Sequence, residues 1–144
     1  MVRLLTVLAA LSGALAVAAG AFGAHGVTGQ AAEWLRTGGQ YQLVHAVAAL
    51  VAVRMGARVS PWLFVGGAGI FAGTLYLMAL GLPRWLGAIT PIGGTALIAG
   101  WICLAVTAAR AKTWRVAMRI GDERQLSGEP GAVRLGFPMC RITF

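Results

Sequence analysis

The chain has 144 residues, of which 58% are apolar and 11% are charged, and its formal net charge is +8. A soluble domain averages about 45–50% apolar and about 25% charged residues, so this composition excludes an ordinary soluble protein of this size. Nucleic-acid binding is disfavoured, because the basic residues lie between apolar runs or in the last third of the chain rather than in one water-exposed cluster.

Four runs of the sequence are long, apolar and nearly free of charge. About 20 helical residues cross a hydrocarbon core about 30 Å thick, so these runs predict four transmembrane helices. Helices are favoured over strands because a helix satisfies its own backbone hydrogen bonds in lipid. The first run is longer than the apolar part of a secretion signal, and we expect it to be retained. The predicted spans are about residues 4–24, 38–54, 61–81 and 90–109.

Helix-start signals refine these spans. A hydroxyl residue followed by proline is typical of a helix N-terminus, and this pair occurs at Ser60-Pro61 and at Thr90-Pro91. The third and fourth helices are therefore expected to begin at these two sites.

The second helix has a different start signal. Thr37 and Gln40 have the spacing of a capping box, in which each side chain satisfies a backbone N–H near the other residue. We therefore expect the second helix to begin there, with residues 28–36 forming a separate short helix at the membrane surface.

The basic residues predict an orientation. Seven of them flank the N-terminus, the loop after the second helix and the start of the tail, whereas the opposite side carries Arg36 and Arg84, partly offset by Glu33. The positive-inside rule places the first group, and both termini, in the cytoplasm. From about Thr113 the composition changes to Gly, Pro and mixed charge, so residues 1–112 are expected to form the membrane domain and residues 113–144 a disordered basic tail.

Small residues recur at helical spacing, which allows close helix packing in lipid. Gly69 and Gly73 form a GxxxG pair, and Gly66 extends the same face. These residues are expected to pack inside the bundle, and the alternative is that they form the seam of a homodimer.

Polar residues inside a membrane span are functional candidates by default. His45 lies about 12 Å along the second helix from its predicted start, and Tyr41 shares its face. Thr74 and Tyr76 of the third helix are possible partners, so these four residues form a candidate intramembrane polar cluster. A neutral histidine satisfied by a neighbouring helix is the structural interpretation, and a residue on a polar path is the functional one.

No catalytic, cofactor-binding or metal-binding residue is predicted. The only carboxylate before the tail is Glu33, and the two cysteines have no metal-site or redox spacing. His25 is expected at the end of the first helix, so His25 and His45 lie at different depths and are not expected to share a haem iron. His25, Thr37 and Gln40 are therefore interpreted as loop and cap residues.

Five segments occur in an order that resembles a known family. They are GAFGAHG, W-x-x-TG-x-x-YQ-x-x-H, FAGTLYLMALG, TPIGG and AGW, which begin at residues 20, 34, 71, 90 and 99. Together they resemble the small four-span membrane proteins catalogued as domain of unknown function four-two-three, whose animal relatives are called transmembrane protein two-five-six. The resemblance implies a bacterial plasma-membrane (inner-membrane) protein without an assigned biochemical role, and it supplies no catalytic residue. Members of the family typically have Glu where this chain has Gln40, which keeps the capping role but loses the charge.

The sequence thus predicts an all-α, integral membrane bundle of four transmembrane helices with both termini in the cytoplasm. We expect a non-enzymatic packing or accessory component, surrounded by the lipid bilayer, with a second copy or another membrane protein as possible partner. The alternative is a small-solute carrier or channel whose polar path runs near Tyr41 and His45.

Overall fold

Four long helices make up the part of the chain that the structure, a computed structural model, describes, residues 1–110. They are α1 (Val2–His25), α2 (Gly29–Arg54), α3 (Ser60–Ala79) and α4 (Thr90–Arg110), and a short 3-10 helix (Arg84–Ala88) precedes α4. These 110 residues contain no strand, which confirms the predicted all-α class. The predicted tail, residues 113–144, lies outside the described residues.

Each helix packs mainly against the next one along the chain, and α1 also contacts α3. The packing is antiparallel, since Gly23 near the end of α1 lies against Leu35 near the start of α2. The start of α1, the loop between α2 and α3 and the last turns of α4 therefore lie at the same end of the bundle. We call it the arginine end, after Arg3, Arg54, Arg58 and Arg110.

The interior of the bundle is rich in alanine, and many large apolar residues lie on its outer surface. Ala9, Ala49 and Ala72 are all 0% exposed, whereas Leu11 and Ile98 are each 62% exposed. A soluble protein would bury its large apolar side chains in preference to alanine. The reversed arrangement fits helices that approach closely through small residues and present their larger side chains to lipid.

The start of α2 differs from its predicted position. The helix begins at Gly29, after the N-cap residue Thr28, and continues without a break to Arg54. The capping-box interpretation of Thr37 and Gln40 is therefore wrong, because both are exposed residues in the interior of the helix. The predicted separate surface helix over residues 28–36 is instead the first part of α2.

The two glycines between Thr37 and Gln40 explain this difference, since they serve helix contact and do not mark a helix start. A Cβ atom on Gly38 would lie 2.7 Å from the ring of Tyr76 in α3. A Cβ atom on Gly39 would lie 2.8 Å from the carbonyl oxygen of Ala16 in α1. Both positions thus need glycine so that α1 and α3 can approach α2 closely.

Helices α3 and α4 begin at Ser60 and Thr90, as predicted from the prolines that follow. The hydroxyl of Ser60 does not cap α3, however, because the N-cap residue is Val59 and it makes no side-chain cap bond. The chain turns sharply after α2 and after α3 at Gly56 and Gly81, whose φ angles of +75° and +92° favour glycine.

The GxxxG pair of α3 faces away from the rest of the bundle. A Cβ atom on Gly66, Gly69 or Gly73 would have no neighbour within 4 Å, so the prediction that this row packs inside the described bundle is wrong. The contact with α4 instead uses Gly67, where a Cβ atom would lie 2.9 Å from Leu97. The dimer-seam alternative stays a prediction.

Three segments of the described residues are long and apolar enough to cross a membrane: Val2–His25, Ser60–Ala79 and Arg84–Arg110. Helix α2 has 26 residues, which is sufficient length, but it is not among the three. The polar residues of α2 are therefore the candidates for a functional site.

Candidate functional site

The centre of α2 forms hydrogen bonds with all three other helices. Gln42 is 4% exposed, and its amide nitrogen donates to the Ser12 hydroxyl of α1 at 3.1 Å. Its amide oxygen accepts from the Tyr76 hydroxyl of α3 at 2.7 Å. The buried amide of Gln42 thus connects α2 to α1 through its nitrogen and to α3 through its oxygen.

His45, one turn further along α2, connects to α4. Its Nδ1 atom lies 2.6 Å from the backbone oxygen of Tyr41, and because a carbonyl only accepts, Nδ1 must carry the proton. Its Nε2 atom is then free to accept from the indole N–H of Trp101, at 3.2 Å. The two bonds therefore form together when Nδ1 carries the hydrogen and Nε2 accepts.

Aromatic rings enclose this histidine. His45 is 6% exposed, and the centroids of the Phe64 and Trp101 rings lie 5.7 Å and 6.1 Å from that of its imidazole. Tyr41 stacks nearly parallel to it, at 6.2 Å between centroids, but the Tyr41 side chain is 47% exposed on the outer surface. The imidazole is therefore held by packing on several sides as well as by two hydrogen bonds.

The predicted polar cluster of Tyr41, His45, Thr74 and Tyr76 does not form a single site. The predicted partners of His45 are wrong, because the Tyr76 hydroxyl binds Gln42 and the Thr74 hydroxyl lies 2.8 Å from that of Thr90. Thr74 also donates to the backbone oxygen of Phe71 at 2.9 Å. The rotation of α3 about its axis, which the sequence pattern does not fix, decides these pairings.

The remaining predicted residues lie apart from these networks. His25 is the last residue of α1 and is exposed, at the end of the bundle opposite the arginine end. Thr37 and Gln40 are exposed on α2. Within residues 1–110, no three His, Cys, Asp or Glu side chains come close enough together to hold a metal ion.

Sequence reasoning missed Gln42 as a network residue, although a strongly polar amide in the middle of an apolar run is itself a signal. It also predicted no hydrogen bond from Ser12 or from Trp101 to α2. Each of these two residues does pack, and each also supplies a hydrogen bond to α2. A serine or an indole inside an apolar run indicates such a bond only once the partner helix is known.

The polar side chains of this region hold helices together. The buried Gln42, His45 and Thr74 side chains all have hydrogen-bond partners within the bundle, and they face other helices. The buried hydroxyl of Ser60 is the exception among residues 1–110, and it lies at the arginine end, away from the centre of α2.

Known proteins resemble this chain over most of its length. A family described as "Protein of unknown function (DUF423)" matches residues 19–94. The UPF0382 inner membrane protein YgdD of Escherichia coli (strain K12) is 40% identical over 121 residues, which cover 76% of this chain and 92% of that protein. The UPF0382 membrane protein YwdK of Bacillus subtilis (strain 168) is 36% identical over 121 residues, which cover 75% of this chain and 98% of that protein.

No solved structure matches the chain. The matched residues include all of α3 and all of α2, which carries Gln42 and His45. The relatives are named as membrane proteins, in agreement with the apolar outer surface of the bundle. The chain therefore belongs to the DUF423 family, and it is an integral membrane protein.

Proposed function

We propose that this chain is a four-span plasma-membrane protein, with both termini in the cytoplasm, that acts as a non-enzymatic packing or accessory component. The observation that carries the proposal is the use of polar groups inside the bundle. Gln42 and His45 are buried, and their polar atoms bind neighbouring helices. They therefore contribute to assembly and present no free group to a substrate.

The same bonds support the crossing of α2. An unpaired amide or imidazole in the hydrocarbon layer costs several kcal/mol, so α2 by itself is poorly suited to lipid. Ser12, Tyr76 and Trp101 supply the partners that the lipid lacks. Helix α2 is thus proposed as the fourth span, inserted stably only when the other three surround it.

Charge supports the orientation. Four arginines mark the arginine end, and the only carboxylate of residues 1–110, Glu33, lies near the start of α2, toward the opposite end. The positive-inside rule then places the arginine end in the cytoplasm. The loops that follow α1 and α3 are placed on the outer side.

The carrier or channel alternative finds no support in this geometry. A polar path needs side chains that face a cavity. Tyr41 faces the outer surface, and His45 is enclosed with both ring nitrogens bonded. The accessory role is accordingly the one that we propose.

Trp101→Phe tests whether these polar groups serve assembly. Phenylalanine keeps an aromatic ring beside His45 but removes the N–H donor, so we expect a loss of about 0.6–1.7 kcal/mol in the free energy of unfolding. The control is Trp85→Phe, because Trp85 is 66% exposed in the 3-10 helix and should lose little. Both variants are measured by titration with sodium dodecyl sulfate in mixed micelles, followed by circular dichroism.

A site kept for substrate is commonly a source of instability, so removing its polar groups leaves stability unchanged or raises it. A stability gain in Trp101→Phe would therefore contradict the proposal.

A second experiment tests the accessory role. The protein is purified by affinity tag from native membranes, and its mass is measured by light scattering. We expect a mass above that of one chain, and a monomer without any bound protein would count against that role.

A further inference from the structure

The arginine end carries a concentration of positive charge that the helix packing does not use. Arg3, Arg54, Arg58 and Arg110 are all exposed there, together with the N-terminal amine of Met1. No carboxylate among residues 1–110 neutralises them, since Glu33 lies toward the opposite end. This end of the bundle is therefore electrostatically suited to an anion.

Two clefts flank the loop between α2 and α3 at this end. The first has a volume of about 410 Å³ and lies between residues 56–60 and a face of α4 formed by Ile102, Cys103, Val106 and Thr107. The second, of about 430 Å³, lies between the same loop, the start of α1 and Trp62. Arg58 lines both clefts, so each combines apolar walls with a guanidinium group.

Ser60 supplies an independent indication of a ligand. The residue is 1% exposed and is one of those that line the first cleft, and its hydroxyl has no hydrogen-bond partner among the described residues. A buried hydroxyl without a partner is costly and calls for an explanation. Ser60 is also the first residue of α3, and its own backbone N–H has no partner within the helix, whereas Pro61 has no N–H and that of Trp62 donates to the carbonyl oxygen of Val59.

A phosphate diester matches this set of groups. Its oxygens accept hydrogen bonds from a serine hydroxyl, from a backbone N–H at the start of a helix and from a guanidinium, and its charge is opposite to that of the arginine end. A free phosphate would leave the apolar walls unused, whereas the acyl chains of a phospholipid would lie against them. The combination of charge and apolar lining thus favours a lipid.

We propose that the first cleft binds an anionic phospholipid, with its phosphate between Arg58 and Ser60 and its acyl chains against α4. The proposal rests on the proposed membrane arrangement of the bundle, because the arginine end must lie at the level of the lipid headgroups. A basic pocket between helices on the cytoplasmic side is a suitable site for such a headgroup.

The test uses the full chain in detergent and measures binding by native mass spectrometry with dioleoyl phosphatidylglycerol, dioleoyl phosphatidylcholine or sodium phosphate as the probe. We expect the anionic lipid to bind at least about fivefold more tightly than the zwitterionic one, and Arg58→Gln to remove about fivefold of that affinity. The control is Arg36→Gln, an exposed arginine toward the opposite end, which should leave the affinity unchanged.

Ser60→Ala separates a ligand group from a packing residue. It should lower the affinity for the anionic lipid by about tenfold. The lipid-free protein should stay equally stable or become more stable, because the substitution removes an unpaired buried hydroxyl. Equal binding of the two lipids, equal loss in Arg36→Gln and Arg58→Gln, or binding of phosphate alone would each overturn the proposal. So would an absence of lipid binding. These outcomes differ from a failure of the proposed topology, which is tested by chemical labelling in cells.

Discussion

Gly93→Ala is expected to destabilise the bundle by about 1–3 kcal/mol, the usual cost of overpacking a tightly packed contact. A Cβ atom on Gly93 would lie 2.5 Å from the backbone nitrogen of Phe71 and 2.8 Å from the carbonyl oxygen of Gly67, both in α3. Backbone atoms cannot move aside as a flexible side chain can, so α3 and α4 would have to separate. The measurement is the free energy of unfolding in mixed micelles.

Gly69→Ala is the matched control for this prediction. It makes the same chemical change in α3, which is also an apolar helix, but a Cβ atom there would meet nothing within 4 Å. Alanine is also a better helix former than glycine by about 1 kcal/mol, so this variant should be unchanged or slightly more stable. Equal losses in the two variants would show that α3 and α4 do not cross at Gly93.

Gln42→Leu is expected to cost about 1–3 kcal/mol, because it leaves the hydroxyls of Ser12 and Tyr76 without their partner while keeping a side chain of similar size. Tyr76→Phe alone should cost less. If the two side chains act as one unit, the loss in the double variant Gln42→Leu/Tyr76→Phe should be smaller than the sum of the two single losses. The difference should be about 0.6 kcal/mol and at most about 1.7 kcal/mol. The same mixed-micelle titration measures all three variants.

Gln40→Leu provides the control, since Gln40 lies two residues away on α2 but faces outward. An outward leucine faces lipid without leaving any partner unsatisfied, so stability should be retained. The account would be contradicted if Gln40→Leu were as damaging as Gln42→Leu, or if the effects of Gln42→Leu and Tyr76→Phe were simply additive.

The start sites of α3 and α4 were predictable because proline acts locally. Proline fixes its own φ angle and is accommodated in the first turn of a helix. With proline at residues 61 and 91, these helices begin at Ser60 and Thr90 as expected. The start of α2 was not predictable from Thr37 and Gln40. Their spacing is a local signal, and it was overridden by the contacts that Gly38 and Gly39 make with distant parts of the chain.

The candidate site was predictable in its main residue but not in its partners. His45 stands out because an ionisable group inside an apolar run is rare, and Tyr76 stands out as a hydroxyl at similar depth. Which groups meet depends on how each helix is rotated about its axis. That rotation is set by contacts such as Gly38 against Tyr76, between residues far apart in sequence. Trp101 could therefore be identified as a partner of His45 only from the structure.

The most direct test of the account is whether α2 crosses the bilayer. Three variants of the full chain each carry a single cysteine, at residue 28 or 55 at the two ends of α2, or at residue 82 after α3. The two natural cysteines are removed by Cys103→Ala and Cys140→Ala. Intact spheroplasts are then treated with a membrane-impermeant maleimide. The account predicts labelling at residues 28 and 82, and labelling at residue 55 only after the membrane is permeabilised. Labelling of residues 28 and 55 from the same side would contradict it.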